Sequence, residues 1–396
     1  MKKSVFIRTA WALAALLLAL VLARSFVGNV YHVRSGSMEP TILGLEDGGE
    51  WVFVRYDRAP PKRNELVVVL PVDGGDPIVK RVLGLPYERV QVLHGDVWID
   101  GRVLRRSAED GVPRPFVTEF DERLQPFDAS FHMGSTAANP WTRADGAWRV
   151  DATGIPAGSD EGLAYLVPKL DDGYFGPDHA RVKGETDTND LALECEVFCE
   201  SARGRVRFQL TERGDTFEFS IAPTANGDAL GLLTRRNQGD RLERLASVLL
   251  PRFTCGAWHK IRVSNVDDEL ALELDGAATP LRAAYERNEL HPADRLFAGT
   301  SPGARVLLGA EGVAARFRGV RIERDLVFTP LGEHGTATEA ELGADQYFLL
   351  GDNSAHSSDS RTFGPVPLAR IVGRATHVVW PPSRWRRLDA PRDGRP

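Results

Sequence analysis

The chain has 396 residues, room for two or three domains, and at 42% hydrophobic and 26% charged it has the composition of a globular protein rather than a disordered one. A net charge of −6 leaves no basic footprint of the kind nucleic-acid binding demands, so no nucleic-acid partner is expected. Three cysteines are too few for a disulfide framework and badly spaced for zinc, and the nine histidines form no His-x-His or His-Glu-x-x-His grouping, so no metal and no cofactor are expected.

Lys2, Lys3 and Arg8 precede an apolar run over residues 9–23 that closes at Arg24. The run is short for a span, but Val5, Phe6 and Ile7, with Arg8 snorkelling to the interface, bring it near the roughly 20 residues a bilayer needs. The basic cluster orients such an anchor with its amino terminus in the cytoplasm and the rest of the chain outside. A cleaved secretory signal shares the basic start and apolar core, yet Arg24, Phe26 and Tyr31 crowd the place where a small-x-small site would fall. An uncleaved anchor over residues 1–30 is therefore expected.

Next stands Ser35-Gly36-Ser37-Met38-Glu39-Pro40-Thr41. Gly36 permits a tight turn that a side chain would block, and Pro40 stops a helix from crossing the segment. A hydroxyl on so constrained a turn is a nucleophile if a base reaches it. Without a base, the stretch is a plain Ser/Gly/Pro turn leading from anchor to domain.

From Glu50 the pattern is β. Trp51-Val52-Phe53-Val54 and residues 66–70 are short apolar runs bounded by Gly, Pro and Asp. Then comes Ile78-Val79-Lys80-Arg81-Val82-Leu83-Gly84-Leu85-Pro86, with Lys80 inside an apolar β segment. A lysine taken out of water has its pKa lowered, and its neutral form is a base; on the solvated face of a strand it has no such role. Gly95-Asp96 and Asp100-Gly101 read as hairpin turns between residues 90–93, 97–99 and 102–104.

The stretch to about Gly146, with Pro113, Pro115, Pro126 and Pro140, reads as turn-rich and irregular. Alternating strands follow: Leu193, Cys195, Val197 and Cys199 share one face, as do Phe217, Phe219 and Ile221, and later Leu270, Leu272 and Leu274. Such strands with regular turn signals predict a β-sandwich, and Trp258-His259-Lys260-Ile261-Arg262-Val263 through Asp275-Gly276 resembles laminin-G and concanavalin-like jelly rolls. On one strand Cys195 and Cys199 lie about 13 Å apart, too far to bond each other, whereas either could pair with Cys255. Asp267-Asp268-Glu269 reads as an exposed turn rather than a calcium cluster, and a structural or docking module is expected ahead of glycan binding.

Near the carboxyl end Tyr347-Phe348-Leu349-Leu350-Gly351-Asp352-Asn353 runs into Ser357-Ser358-Asp359-Ser360-Arg361, an apolar strand entering a polar, glycine-punctuated loop. Loops hung rigidly on sheets are where site residues are usually found. The basic, Pro-punctuated residues 386–396 read as a tail that is solvated or rests on anionic lipid.

With these stretches together, the chain resembles bacterial type I signal peptidase, the membrane-bound Ser/Lys endopeptidase. The first stretch is similar to the family's nucleophile box, Lys80 to Pro86 to its base box, and Gly351-Asp352-Asn353 through Arg361 to its last box. Tyr87-Glu88 replace the Gly-Asp with which the family usually continues the base box.

The resemblance implies a mainly β architecture. A catalytic domain over residues 31–106 and 329–385 follows the transmembrane helix, and a β-sandwich over residues 107–328 is inserted into it. It implies Ser37 as nucleophile and Lys80 as general base, with the Ser35 hydroxyl and the Ser37 amide holding the oxyanion. It further implies Ser357 orienting the lysine amine, an Asp359–Arg361 ion pair, and Asp352 supporting the loop. Met38, Pro40 and Val79 would line pockets for the small side chains of signal peptides of exported preproteins, bound extended and cut after small-X-small sites. The lipid bilayer would be the other partner, with the insertion free to take a ligand or protein of its own. A Ser37-His356-Asp359 triad is a competing enzyme reading, although His356 and Asp359 share one loop, where the base must be oriented across the site. A surface-anchored glycan-binding protein with an inactive peptidase half is a third. A self-cleaving Ser/Lys repressor would need a DNA-binding domain and no anchor.

Overall fold

The computed structural model describes residues 11, 27–44, 48–57, 59–71, 74–106, 112, 114–133, 139–168, 170–176, 178, 180–237, 239–285 and 305–389. The expected anchor thus lies, apart from Trp11 and residues 27–30, outside the described residues. Among the described residues no helix is long and apolar enough to cross a membrane. The chain divides into two compact units, one of residues Met1–Pro115 with Val327–Pro396 and the other of Phe116–Leu326.

In the first unit, strands β1 (Gly28–His32), β2 (Trp51–Arg55), β3 (Leu66–Val69), β4 (Ile78–Gly84), β5 (Arg89–Leu93), β6 (Asp96–Ile99) and β7 (Arg102–Val103) precede the other unit in sequence. After it come β8 (Ala340–Glu341), β9 (Gln346–Leu350), β10 (Val366–Pro367), β11 (Ile371–Trp380) and β12 (Arg386–Arg387). The main antiparallel sheet runs β1-β2-β11-β3-β4-β9-β10, with β12 on β11, and a smaller sheet runs β8-β5-β6-β7. On β2 the side chains alternate: Val52 and Val54 are buried, Trp51 and Arg55 exposed, as a half-buried strand requires. The runs of β3 and β4 are instead buried on both faces, which is why they read as continuous hydrophobic segments.

The first hairpin turn falls one residue earlier than expected. His94 and Gly95 take positive φ, 57° and 96°, while Asp96 already pairs with Leu93 in the ladder. A two-residue turn of this hand needs both central residues at positive φ, and glycine suits the second of them. The second turn uses Asp100 and Gly101, as expected.

The second unit is a β-sandwich. One sheet of eight strands contains Leu191–Cys199, Trp258–Val266, Glu269–Leu274 and Ala314–Arg324, and another of seven contains Arg205–Glu212, Asp215–Pro223, Ala229–Arg236 and Arg305–Glu311. Leu193, Cys195, Val197 and Ile261 from the first share one core with Phe208, Phe217, Phe219 and Ile221 from the second. The other face of the eight-stranded sheet is neutralised by cross-strand pairs such as Lys260–Glu194 at 3.0 Å and Arg262–Glu323 at 2.6 Å.

Three local expectations change. The stretch before Gly146 is only partly irregular: Val117–Asp121 pairs with Ala314–Arg324, and Phe131–His132 and Trp141–Ala144 are edge strands. Val117, Phe120, Phe127, Phe131 and Trp141 are buried, so apolar side chains override the proline-rich context. Asp267 and Asp268 form a tight hairpin turn, with φ of 53° and 59°, but are buried rather than exposed; Asp267 N donates to the Asp190 carboxylate at 3.1 Å. All three thiols are free, and burial pushes that of Cys199 up to about 12.

The carboxyl end is the third. Residues 384–389 are not a loose tail, because β12 pairs with His377 and Val378 of β11 and its Arg386 meets Glu50. Residues 390–396 lie outside the described residues.

Candidate functional site

Ser37 sits in a single 3-10 turn, Gly36–Met38, closed by Glu39 N donating to the Gly36 carbonyl at 3.1 Å. Gly36 itself has no positive φ, and a Cβ there would meet only the flexible end of Glu39 at 3.0 Å, so the turn does not demand that glycine. The steric demand lies at Gly44, where a Cβ would fall 1.8 Å from the Ser35 carbonyl, and at Gly351.

Lys80 projects from β4, whose neighbour β3 places Val67 opposite it. The residue is 2% exposed and its Nζ lies 2.7 Å from Ser37 Oγ. As an ammonium it donates to the hydroxyl; deprotonated, it can accept the hydroxyl proton along the same line. Burial lowers its pKa from the ordinary 10.5 to about 8, against the pull of Asp359 and Asp352 and with a small push from Arg361. Ser35 Oγ stands 3.3 Å from Ser37 Oγ, on the exposed side of the turn.

The loop after β9 closes over this pair. Asn353 donates from its backbone N to the Ser37 carbonyl at 3.1 Å and from Nδ2 to the Gly36 carbonyl at 3.0 Å. Gly351 is packed so closely that a Cβ would fall 2.2 Å from Ser357 Oγ and 2.5 Å from the Ser37 carbonyl oxygen. Ser357 Oγ is buried there without a hydrogen-bond partner among the described residues.

Two buried ion pairs hold the loop. Arg81 follows Lys80 in β4 and therefore points to the opposite face. It grips Asp352 with Nε at 2.7 Å and Nη2 at 2.6 Å while donating to the Asn64 carbonyl at 2.8 Å. Arg361 grips Asp359 at 2.9 and 2.7 Å, and it also donates to Ser354 Oγ at 2.7 Å and Thr329 Oγ1 at 3.0 Å. Asp359 additionally caps its own short helix and accepts from Gly351 N at 3.0 Å.

Ser35, Ser37, Lys80, Asp352, Ser357, Asp359 and Arg361 are thus gathered at one end of β4 and β9. Met38 is fully buried in the core with Ile42, Val52 and Val54; Val79 belongs to the same cluster, and Pro40 is half-buried. His356 is exposed, with Nδ1 3.4 Å from Asn353 Oδ1, while both Asp359 oxygens are engaged by Arg361. Sequence reading gave no role to Arg81 or Asn353. The available signal was a second cation inside an apolar strand, which requires a buried anion elsewhere.

A model of the signal peptidase, peptidase S26, family matches residues 6–152 and 320–380, more than half of the chain. Subunit 2 of the mitochondrial inner membrane protease of Danio rerio is 54% identical over 51 residues, 12% of this chain and 28% of that protein. The probable signal peptidase I-2 of Synechocystis is 31% identical over 124 residues, 30% of this chain and 55% of that one. The chain therefore spans about half the length of these relatives or less. Among solved structures, the carbohydrate-binding module CBM66 of Bacillus subtilis aligns over 49% of this chain and 95% of its own, with a TM-score of 0.31 at 13% identity.

Proposed function

The chain belongs to the signal peptidase family, peptidase S26, and we propose that it is a membrane-anchored serine endopeptidase that removes signal peptides by a Ser37/Lys80 mechanism. One observation carries the reading: a fully buried lysine amine lies 2.7 Å from a serine hydroxyl, where burial loosens its hold on the proton. Such a pair is a known variant of the hydrolytic triad, with the neutral lysine doing the work of histidine.

In this reading neutral Lys80 takes the Ser37 proton as Oγ attacks the scissile carbonyl carbon. The Ser35 hydroxyl and the Ser37 amide donate to the oxyanion as it forms. The Lys80 ammonium then protonates the departing amine, leaving an acyl group on Ser37, and water deprotonated by the same lysine releases it. Ser357, whose hydroxyl is buried and unpartnered, is suited to accept from the Lys80 amine and aim it. The Asp359–Arg361 and Asp352–Arg81 pairs keep the loop rigid around that geometry.

The substrate would be an extended segment with small residues at the first and third positions before the cut, received near Met38, Pro40 and Val79. Residues 9–23 with their basic flank would anchor the enzyme in the cell membrane in a single pass, amino terminus inside and catalytic unit outside. The sandwich would serve as a structural or docking module. The test is cleavage of a preprotein bearing an Ala-X-Ala site, in detergent, by wild type and by Ser37→Ala, Lys80→Ala and His356→Ala. Loss in the first two with His356→Ala active supports the dyad; loss in His356→Ala with Lys80→Ala active moves the base to histidine.

A further inference from the structure

Glu50 has no exposed side-chain surface, although it lies at the end of the loop that follows the Ser37 turn. Arg386, from β12, meets it with two nitrogens, Nη1 on Oε1 and Nη2 on Oε2, each at 2.6 Å. The same Nη2 donates to the Thr41 carbonyl at 2.7 Å. Glu50 Oε2 accepts in turn from Leu43 N at 3.0 Å, and Glu50 N donates to the Leu43 carbonyl at 2.8 Å. Between these anchor points Ile42 N donates to the Met38 carbonyl at 2.9 Å. A guanidinium near the carboxyl end thus holds residues 41 and 43, and they fix the residue that follows Ser37.

We infer that Arg386 and Glu50 are a positioning pair for the nucleophile: β12 staples the segment downstream of Ser37 and keeps its hydroxyl in line with the Lys80 amine. The inference rests on the role proposed above for Ser37. The two sides of the turn are held independently. Asn353 fixes the Gly36 and Ser37 carbonyls from the last loop, and Arg386 fixes Thr41 and, through Glu50, Leu43. Misplacing a reacting atom by about 1 Å costs a rate factor of about a hundred, so a staple of this kind acts on turnover before it acts on binding.

Two variants of the full chain test it. Arg386→Lys keeps a cation beside Glu50 but loses the planar fork that spans Glu50 and the Thr41 carbonyl. Glu50→Gln with Arg386→Met removes the buried charge together with its counter-ion, so no carboxylate is left unpaired. For each, kcat and KM are measured on the Ala-X-Ala preprotein in detergent, alongside the unfolding midpoint and hydrogen exchange at the Leu43 amide. In both variants kcat should fall about ten- to a hundredfold with KM within about twofold of wild type, and Leu43 exchange should quicken at least about tenfold. Folded variants with wild-type kcat, or a loss confined to KM, would overturn the staple. Should the double variant not fold, Arg386→Lys carries the comparison alone. Failure of the Ser37 reading is separately visible, since Ser37→Ala would then still cleave. Failure of the staple leaves Ser37→Ala inactive and Leu43 exchange unchanged.

Discussion

Replacing Lys80 by methionine should remove activity and raise stability together, and the size of both effects follows from where the amine lies. Burial takes its pKa from 10.5 to about 8. Because the folded value lies below the unfolded one, the unfolded chain holds more protons between those values. Stability therefore rises with pH through that window, and the cost is fully present below about pH 8. A drop of this size corresponds to about 3 kcal/mol. Methionine relieves that cost but removes the Lys80 hydrogen bond to Ser37 Oγ, a loss of about 1 kcal/mol, so a net gain of about 2 kcal/mol is expected at neutral pH. Chemical denaturation of the two proteins at pH 7 and again near pH 10 would measure it, and the gap should narrow at the higher pH. The wild-type rate should follow the same group: about one Lys80 in eleven is neutral at pH 7 and about ten in eleven at pH 9, giving roughly a tenfold rise in kcat/KM. A flat rate over that range, or a methionine variant less stable than wild type at pH 7, would overturn the assignment of Lys80 as a base whose proton is loosened by burial.

Three other perturbations separate the parts of the site. Ser35→Ala should lower kcat by about ten- to a thousandfold with KM nearly unchanged, read from steady-state cleavage, because it deletes one proposed oxyanion donor. Asp352→Asn leaves the Arg81 guanidinium buried beside a neutral amide and should cost about 3–5 kcal/mol in a denaturant titration. Gly351→Ala drives a methyl group to 2.2 Å from Ser357 Oγ and 2.5 Å from the Ser37 carbonyl, so kcat should drop at least about a hundredfold; retained activity would mean the loop does not set the nucleophile.

The candidate site was legible because its residues stand in short stretches that are local in sequence. The Ser35–Thr41 stretch, a lysine inside an apolar run, and a strand entering a polar loop each stand out within about ten residues, and the structure brings them within hydrogen-bond reach. What stayed hidden is long-range. Nothing near Arg81 announces Asp352, and nothing near Glu50 announces Arg386, because a buried carboxylate and its counter-ion need proximity only in space. The same gap explains the carboxyl end, which reads as solvated by composition but is drawn in by a buried acid. In the sandwich the inward faces were legible from period-two alternation, as at Leu193, Cys195, Val197 and Cys199. The short strand Val117–Asp121 was not, since prolines flank it and its pairing partner lies some 200 residues away.

A lysine of low pKa beside two carboxylates needs a reason, since each acid pulls the value up. Asp359 and Asp352 are the two opposing charges, and each is fully occupied by an arginine fork: Arg361 on Asp359, Arg81 on Asp352. Buried pairs of this kind contribute little net stability, because desolvation of both ions offsets their attraction. Their effect on the site is larger than their effect on the fold. Burial outweighs the pull of both acids on the lysine, with Arg361 adding to it, and the loop that the pairs hold brings Asn353 onto the carbonyls of the serine turn. A carboxylate left free at either position would stabilise the ammonium further and raise the pKa of the lysine. Arg361, given only a structural role in the sequence, thus adds to the downward push that burial exerts on Lys80, while Arg81 holds Asp352 in the loop beside it.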